Sequence, residues 1–252
     1  RIHARGLTLK EYVDVWMPLQ NINFDEYRLD IIPQNTDMIY SAIFLINNYG
    51  IVGEITKGIH WQLTQGMCEK DFVIFYFDFE KWLFSVTDEE SRIDPGQKIL
   101  KRALDMIRIT DEEKKKNLKE SLNAEFTEDG YLKGYFEFFV TPQKDILYND
   151  YNRLIYQKLK DFRLQITNTR ALIKGITVSP GESSGKAKII DDPKTANINY
   201  GDIIICKKVT IDYLPLIKKA GAIISEQGSL LSHFTIIARE MKKPYLINAI
   251  NA

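Results

Sequence analysis

His233 follows Ser232 directly, in the run Ser225-Glu226-Gln227-Gly228-Ser229-Leu230-Leu231-Ser232-His233-Phe234-Thr235-Ile236-Ile237-Ala238-Arg239-Glu240, where an apolar strand pattern gives way to an amphipathic helix. A neutral imidazole is nucleophilic near physiological pH, and a phosphoryl group on its nitrogen can be passed onward. At a helix N-terminus the free N–H groups and the dipole favour the added negative charge. Gly228, Ser229 and Ser232 supply a flexible turn and hydroxyl donors at the same spot, while Leu230, Phe234, Ile237 and Met241 anchor the helix. A histidine beside apolar residues also suits a structural or capping role. No second His, Cys or carboxylate pair stands nearby at metal-ligand spacing.

A second stretch with chemical potential runs from Gly50 to Gly66, where Glu54, Lys57 and Gln65 bring a carboxylate, a cation and an amide among four glycines and His60. Its glycines permit close backbone approach. The same spacing describes a hairpin with polar outer faces.

The elements expected to position these residues read as follows. Residues 8–19 predict a helix capped by Thr8 with Glu11 completing a capping box, stopped by Pro18. A short apolar segment at 29–33 and a turn at 35–37 come next. Residues 38–46 are apolar nearly throughout, so helix and buried strand are equally compatible. Residues 71–79 and 82–86 predict two aromatic-rich strands joined through Glu80-Lys81. Residues 97–125 predict helix, with Ile99, Ala103, Met106 and Ile107 on one face and a fresh start at Thr110-Asp111-Glu112-Glu113. A strand over 134–140 is stopped by Pro142. Tyr151, Leu154, Ile155, Leu159, Phe162 and Ile166 recur at helical spacing over 149–170, as a hinge arm or a plain interdomain helix. Strands are expected near 186–190, 202–206 and 220–225, with a short helix around 213–219.

The 252 residues, 44% hydrophobic, suffice for one or two cores. Lys+Arg and Asp+Glu both total 34, which argues against a nucleic-acid partner, and no run of about 18 apolar residues argues for a membrane span. Residues 172–252 carry a net charge of +4 and the remainder −4. Cys68 and Cys206 lie far apart in neither redox nor metal spacing, which predicts buried free thiols and a cytoplasmic setting. An opening at Arg1-Ile2-His3 suggests a processed product or a fragment.

The C-terminal part carries Ser179-Pro180-Gly181, Ser184-Gly185-Lys186-Ala187, Gly201-Asp202-Ile203, Ala222-Ile223-Ile224-Ser225-Glu226, Gly228, Leu231-Ser232-His233, Ile237-Ala238-Arg239-Glu240 and Pro244 in order. In this it resembles the phosphohistidine swivelling domain of phosphoenolpyruvate-utilising enzymes, the group of phosphoenolpyruvate synthase, pyruvate phosphate dikinase, rifampin phosphotransferase and enzyme I of the sugar phosphotransferase system. The resemblance implies that His233 accepts phosphoryl and that Gly228, Ser229 and Ser232 support its loop. Phe234 stands where the family has a small residue, which is expected to narrow access, and the family continues with further strands after Ala252. Gly50 to Gly66 and the strands after it resemble the C-terminal part of an ATP-grasp domain, which implies Glu54 and Gln65 as nucleotide-site candidates.

The expected fold is therefore α/β: a partial ATP-grasp-like region over 1–92, a mixed helical connector over 93–171, and a C-terminally truncated β/β/α swivelling domain over 172–252. The implied function is a phosphotransferase, phosphoenolpyruvate synthase-like, relaying phosphoryl from ATP or phosphoenolpyruvate through His233 to a small-molecule acceptor such as pyruvate. Mg2+ and ATP are the implied cofactors, and nucleotide and acceptor domains or subunits the implied partners. The alternative is a non-catalytic regulatory or interaction protein that retains the swivelling fold.

Overall fold

The computed structural model describes residues 8–19, 37–66, 72–86, 93–164 and 173–249, with backbone alone at 84–86 and 93–96. The expected segments at 29–33 and 35–36, Cys68 and the stretch 165–170 lie outside these residues. Contacts divide the chain into two compact units, Arg1–Asn35 and Thr36–Ala252.

The described part of the first unit is α1 (Leu9–Glu11), a π-helical stretch (Tyr12–Trp16) and α2 (Met17–Leu19). Thr8 and Glu11 form the expected capping box. Pro18 does not end the helix but lies inside α2. The wider turn, in which the Met17 N–H donates to the Tyr12 carbonyl, shifts the ladder where proline has no N–H to give.

The second unit opens with β1 (Tyr40–Asn47) and β2 (Gly50–Lys57), followed by α3 (Trp61–Thr64), β3 (Phe72–Phe77), β4 (Trp82–Val86), α4 (Ile93–Met106) and α5 (Glu112–Leu122). After β5 (Gly134–Val140) and β6 (Ile146–Asn152) comes α6 (Arg153–Leu159). The six strands form one antiparallel sheet in the order β4-β3-β2-β1-β5-β6. The sheet thus runs across position 92, with β5 and β6 completing it beyond β1.

Residues 40–47 are strand because they lie near the middle of this sheet with both faces covered. Ala42, Phe44 and Ile46 join a core with Leu100, Ala103 and Leu104 of α4. Ile43 and Leu45 point the other way, into a second core. Alternation along a strand sends neighbours to opposite faces, so burial on both sides removes the polar half of the pattern. For the same reason the hairpin with polar outer faces is not found: Gly50–Thr56 is buried along its length. Gly53 admits no side chain, since a Cβ there would sit 2.4 Å from both the Ile43 carbonyl oxygen and Phe44 Cβ, and 2.7 Å from Phe75 Cζ.

Two expected helix faces shift. Met106 is exposed, and α4 instead packs through Leu100, Ala103 and Leu104 with Ile99 and Ile107 alongside. The helix expected from Asn149 begins only at Arg153, because residues 146–152 pair with β5 and the Asn152 side chain caps α6 by accepting from the Ile155 N–H at 2.9 Å. The expected start at Asp111 holds: its carboxylate accepts from the N–H groups of Glu113 and Lys114, and α5 buries no residue.

The remaining strands, β7 (Ile176–Ser179), β8 (Ala187–Ile189), β9 (Ile203–Cys206), β10 (Ala222–Ser225) and β11 (Tyr245–Ile247), form a second sheet in the order β7-β11-β10-β9-β8. Its β8–β9, β9–β10 and β10–β11 pairs are parallel, and β7 runs antiparallel to β11. A 3-10 turn (Ile211–Tyr213) and α7 (Leu214–Lys219) cross from β9 to β10, and α8 (His233–Glu240) crosses from β10 to β11. The sheet's core is continuous with one face of the first sheet: Ile43, Leu45, Val52, Ile74 and Tyr135 share a cluster with Ile223, Leu230, Leu231 and Ile247. Among the described residues no helix is long and apolar enough to cross a membrane.

Candidate functional site

The histidine loop leaves β10 at Ser225 and enters α8 at His233. It is tied down at several points. Ser225 Oγ donates to the Gln227 carbonyl at 2.7 Å. Gly228 lies against β11, where a Cβ would meet Ile247 Cγ2 at 2.6 Å, so close approach rather than a left-handed φ requires glycine there. Ser232 is the N-cap: its hydroxyl accepts from the Thr235 N–H at 3.3 Å, while Thr235 Oγ1 donates to the Ser229 carbonyl at 2.7 Å. The hydroxyl pair Ser232–Thr235, at 3.1 Å, closes this small network.

Within this frame His233 is exposed, whereas Gly228 to Ser232 and Phe234 to Ile236 on either side are buried. The first helical position turns the imidazole outward as its neighbours turn in. Phe234, expected to narrow access to the histidine, packs its side chain into the shared core. Ser229 and Ser232 are committed to bonds within the protein. An exposed imidazole at the opening of α8 can attack an electrophile from solvent or from a partner domain, with the helix terminus favouring the anion that results.

Glu54 and Gln65, expected at a nucleotide site, part company. Gln65 is exposed at the end of α3. Glu54 is fully buried, and its carboxylate accepts from the hydroxyl of Ser229 and, at 2.7 Å, from the N–H of Leu230. The Leu231 N–H adds a further bond. Burial pushes the Glu54 carboxyl up to about 7, against the opposing pull of the three donors and of the Arg239 charge. Arg239, on α8, donates through Nε to the Val178 carbonyl and through Nη2 to the Leu230 carbonyl at 3.4 Å, and its guanidinium lies 3.8 Å from the Phe162 ring centroid. Burial lowers its pKa to about 9. The Leu230 peptide is therefore held at both ends, its N–H by Glu54 and its carbonyl by Arg239.

This meeting of residues 175 positions apart was not visible in sequence spacing. On the same face of the first sheet, across β1, Glu137 accepts from Tyr135 Oη at 3.0 Å and Asn149 Nδ2 at 3.2 Å, with His60 Nε2 3.9 Å away. Among the described residues no group of three or more His, Cys, Asp or Glu could hold a metal ion. Glu54 is engaged by the loop, while Gln65 is exposed at the end of α3.

Cys206 is buried and unpaired as expected of a free thiol, and burial pushes its thiol up to about 12.

Comparison with known proteins bears on the C-terminal part of the chain. Residues 198–252 match the family model described as PEP-utilising enzyme, mobile domain. The chain is 33% identical over 92 residues to a probable phosphoenolpyruvate synthase of Staphylothermus marinus, covering 35% of this chain and 11% of the relative. It is 30% identical over 132 residues to the phosphoenolpyruvate synthase of Aquifex aeolicus, covering 52% of this chain and 15% of the relative. A probable phosphoenolpyruvate synthase of Archaeoglobus fulgidus is 34% identical over 79 residues, 31% of this chain and 10% of its own length. The matched segments thus span only a small part of the length of these relatives.

Proposed function

We propose, from a C-terminal segment that matches the mobile domain of phosphoenolpyruvate-utilising enzymes, that this chain is part of a phosphotransferase in which His233 carries a phosphoryl group. The donor is ATP or phosphoenolpyruvate, and the acceptor is pyruvate or another small molecule. An imidazole nitrogen attacks phosphorus, the bond from phosphorus to the donor's leaving oxygen breaks, and a nitrogen–phosphorus bond forms. Attack by the acceptor oxygen then breaks that bond and returns the free imidazole. The observation that carries the reading is the exposure of His233 between buried neighbours at the opening of α8. We read the second sheet with α7 and α8 as the swivelling domain and the first sheet as the ATP-grasp-like region. ATP and Mg2+ enter through nucleotide and acceptor domains or subunits that partner these residues, in a cytoplasmic enzyme.

The test is labelled donor. Incubation of the protein and its partners with labelled ATP or phosphoenolpyruvate should give acid-labile, base-stable phosphate, and His233→Ala should abolish it together with turnover. Label and turnover that survive the substitution would overturn the relay. One observation favours the non-catalytic alternative, the commitment of Glu54 to the loop. That alternative predicts no label on the unaltered protein.

A further inference from the structure

We propose that Glu54 is a positioning residue that docks the histidine loop onto the first sheet, so that release of its carboxylate from Ser229, Leu230 and Leu231 is the event that frees the loop to move. The inference rests on the relay reading for its purpose, since a loop that carries phosphoryl between sites must be held at one and then let go. Its geometry stands independently of that reading.

Three features support it. The carboxylate belongs to β2 whereas every donor it binds belongs to the loop between β10 and α8. It is the one charged side chain that the fully buried stretch of β2 projects toward this loop, flanked across the sheet by Ile43 and Ile74. Apolar neighbours supply no competing donors, so the loop amides are its partners. Finally, the bonds fall immediately before His233: fixing the peptides of Leu230 and Leu231 fixes the entry to α8 and hence the direction of the imidazole. Arg239 reinforces the arrangement from the helix by taking the Leu230 carbonyl. Gly66, at φ +65°, completes the seat; a Cβ there would lie 3.5 Å from the Ser229 nitrogen and 3.7 Å from Ser232 Cβ. A buried carboxylate with charge-assisted bonds to backbone N–H groups is a strong local restraint that is lost all at once when its donors leave.

Amide hydrogen exchange on the full chain reads the restraint directly. Glu54→Gln keeps the shape but presents an NH2 group to one of the donors. It is expected to raise exchange of the Leu230 and Leu231 amides roughly tenfold or more, as when a bond to a charged acceptor is lost. Protection of the β9 and β10 amides should stay at the wild-type level. Ser229→Ala removes one donor and leaves the Leu230 bond, so it should raise the same amides by a smaller factor. In both variants the rate of labelling at His233 should change while the final extent stays that of the wild type, a kinetic split that a general loss of stability would not produce. Wild-type exchange at Leu230 and Leu231 in either variant overturns the restraint, as does a Glu54→Gln rise matched by equal loss at β9 and β10. Absence of label in every variant, with exchange changed as expected, would instead overturn the relay and leave the docking role standing.

Discussion

At the scale of single residues, Glu54 combines a charge with complete burial, and the balance has a measurable sign. Its folded-state pKa of about 7 lies above the ordinary value of 4.5, because the desolvation of the anion outweighs the donors from Ser229, Leu230 and Leu231 and the attraction of Arg239. The folded protein therefore holds this proton more tightly than the unfolded chain. The contribution is fully present below pH 4.5 and is lost as pH rises through about 7, amounting to about 3 kcal/mol across that window. Glutamine at position 54 does not titrate. Denaturant unfolding at pH 5 and pH 8 should show the wild type losing about that much more stability than Glu54→Gln; parallel losses in the two proteins would contradict the assignment. Spacing placed His233 at the opening of a helix with Gly228, Ser229 and Ser232 beside it, because residue type and position relative to a helix start are local properties. The partner of Ser229 was not legible, since a contact between β2 and the β10–α8 loop leaves no trace in either local pattern.

At the scale of elements, caps decide where helices begin. Ser232 caps α8 and Asp111 caps α5, and both starts were readable from a polar residue ahead of a periodic run. Replacing Ser232 by Ala should cost about 1 kcal/mol in thermal or denaturant stability, and Ser232→Asp should recover most of it by restoring an acceptor for the Thr235 N–H. Equal loss in both variants would show that the hydroxyl serves some purpose other than the cap. Elements without such a local marker were harder to read. β1 has no polar alternation because both its faces are buried, and β6 shares with α6 a run of apolar residues whose helical spacing conceals the strand ahead of Asn152. In α4 the core face keeps Ala103, with Ile99 and Ile107 alongside, but widens to Leu100 and Leu104 and leaves Met106 exposed.

At the scale of the molecule, the core that the two sheets share means that residues 37–249 should melt as one cooperative unit. Calorimetry is expected to show a single transition for them, and two well-separated transitions would show that the second sheet unfolds apart from the first. The contact between the two sheets is apolar with one buried carboxylate bonded to the histidine loop, so it combines non-directional burial with a directional fix. The placement of β1 carries a consequence for how the chain reaches this state. Tyr40 pairs with Val140 on one side, and Ile43 and Leu45 belong to a core cluster whose members extend to Ile247. During synthesis β1 and β2 leave the ribosome as a hairpin whose open edge and apolar faces wait for most of the chain to follow. Long-range pairing of this kind folds slowly and exposes strand edges while it does. Between emergence of β2 and completion of β11 that edge and those faces are not yet fully covered, and slowing translation after β2 is expected to lower the soluble yield.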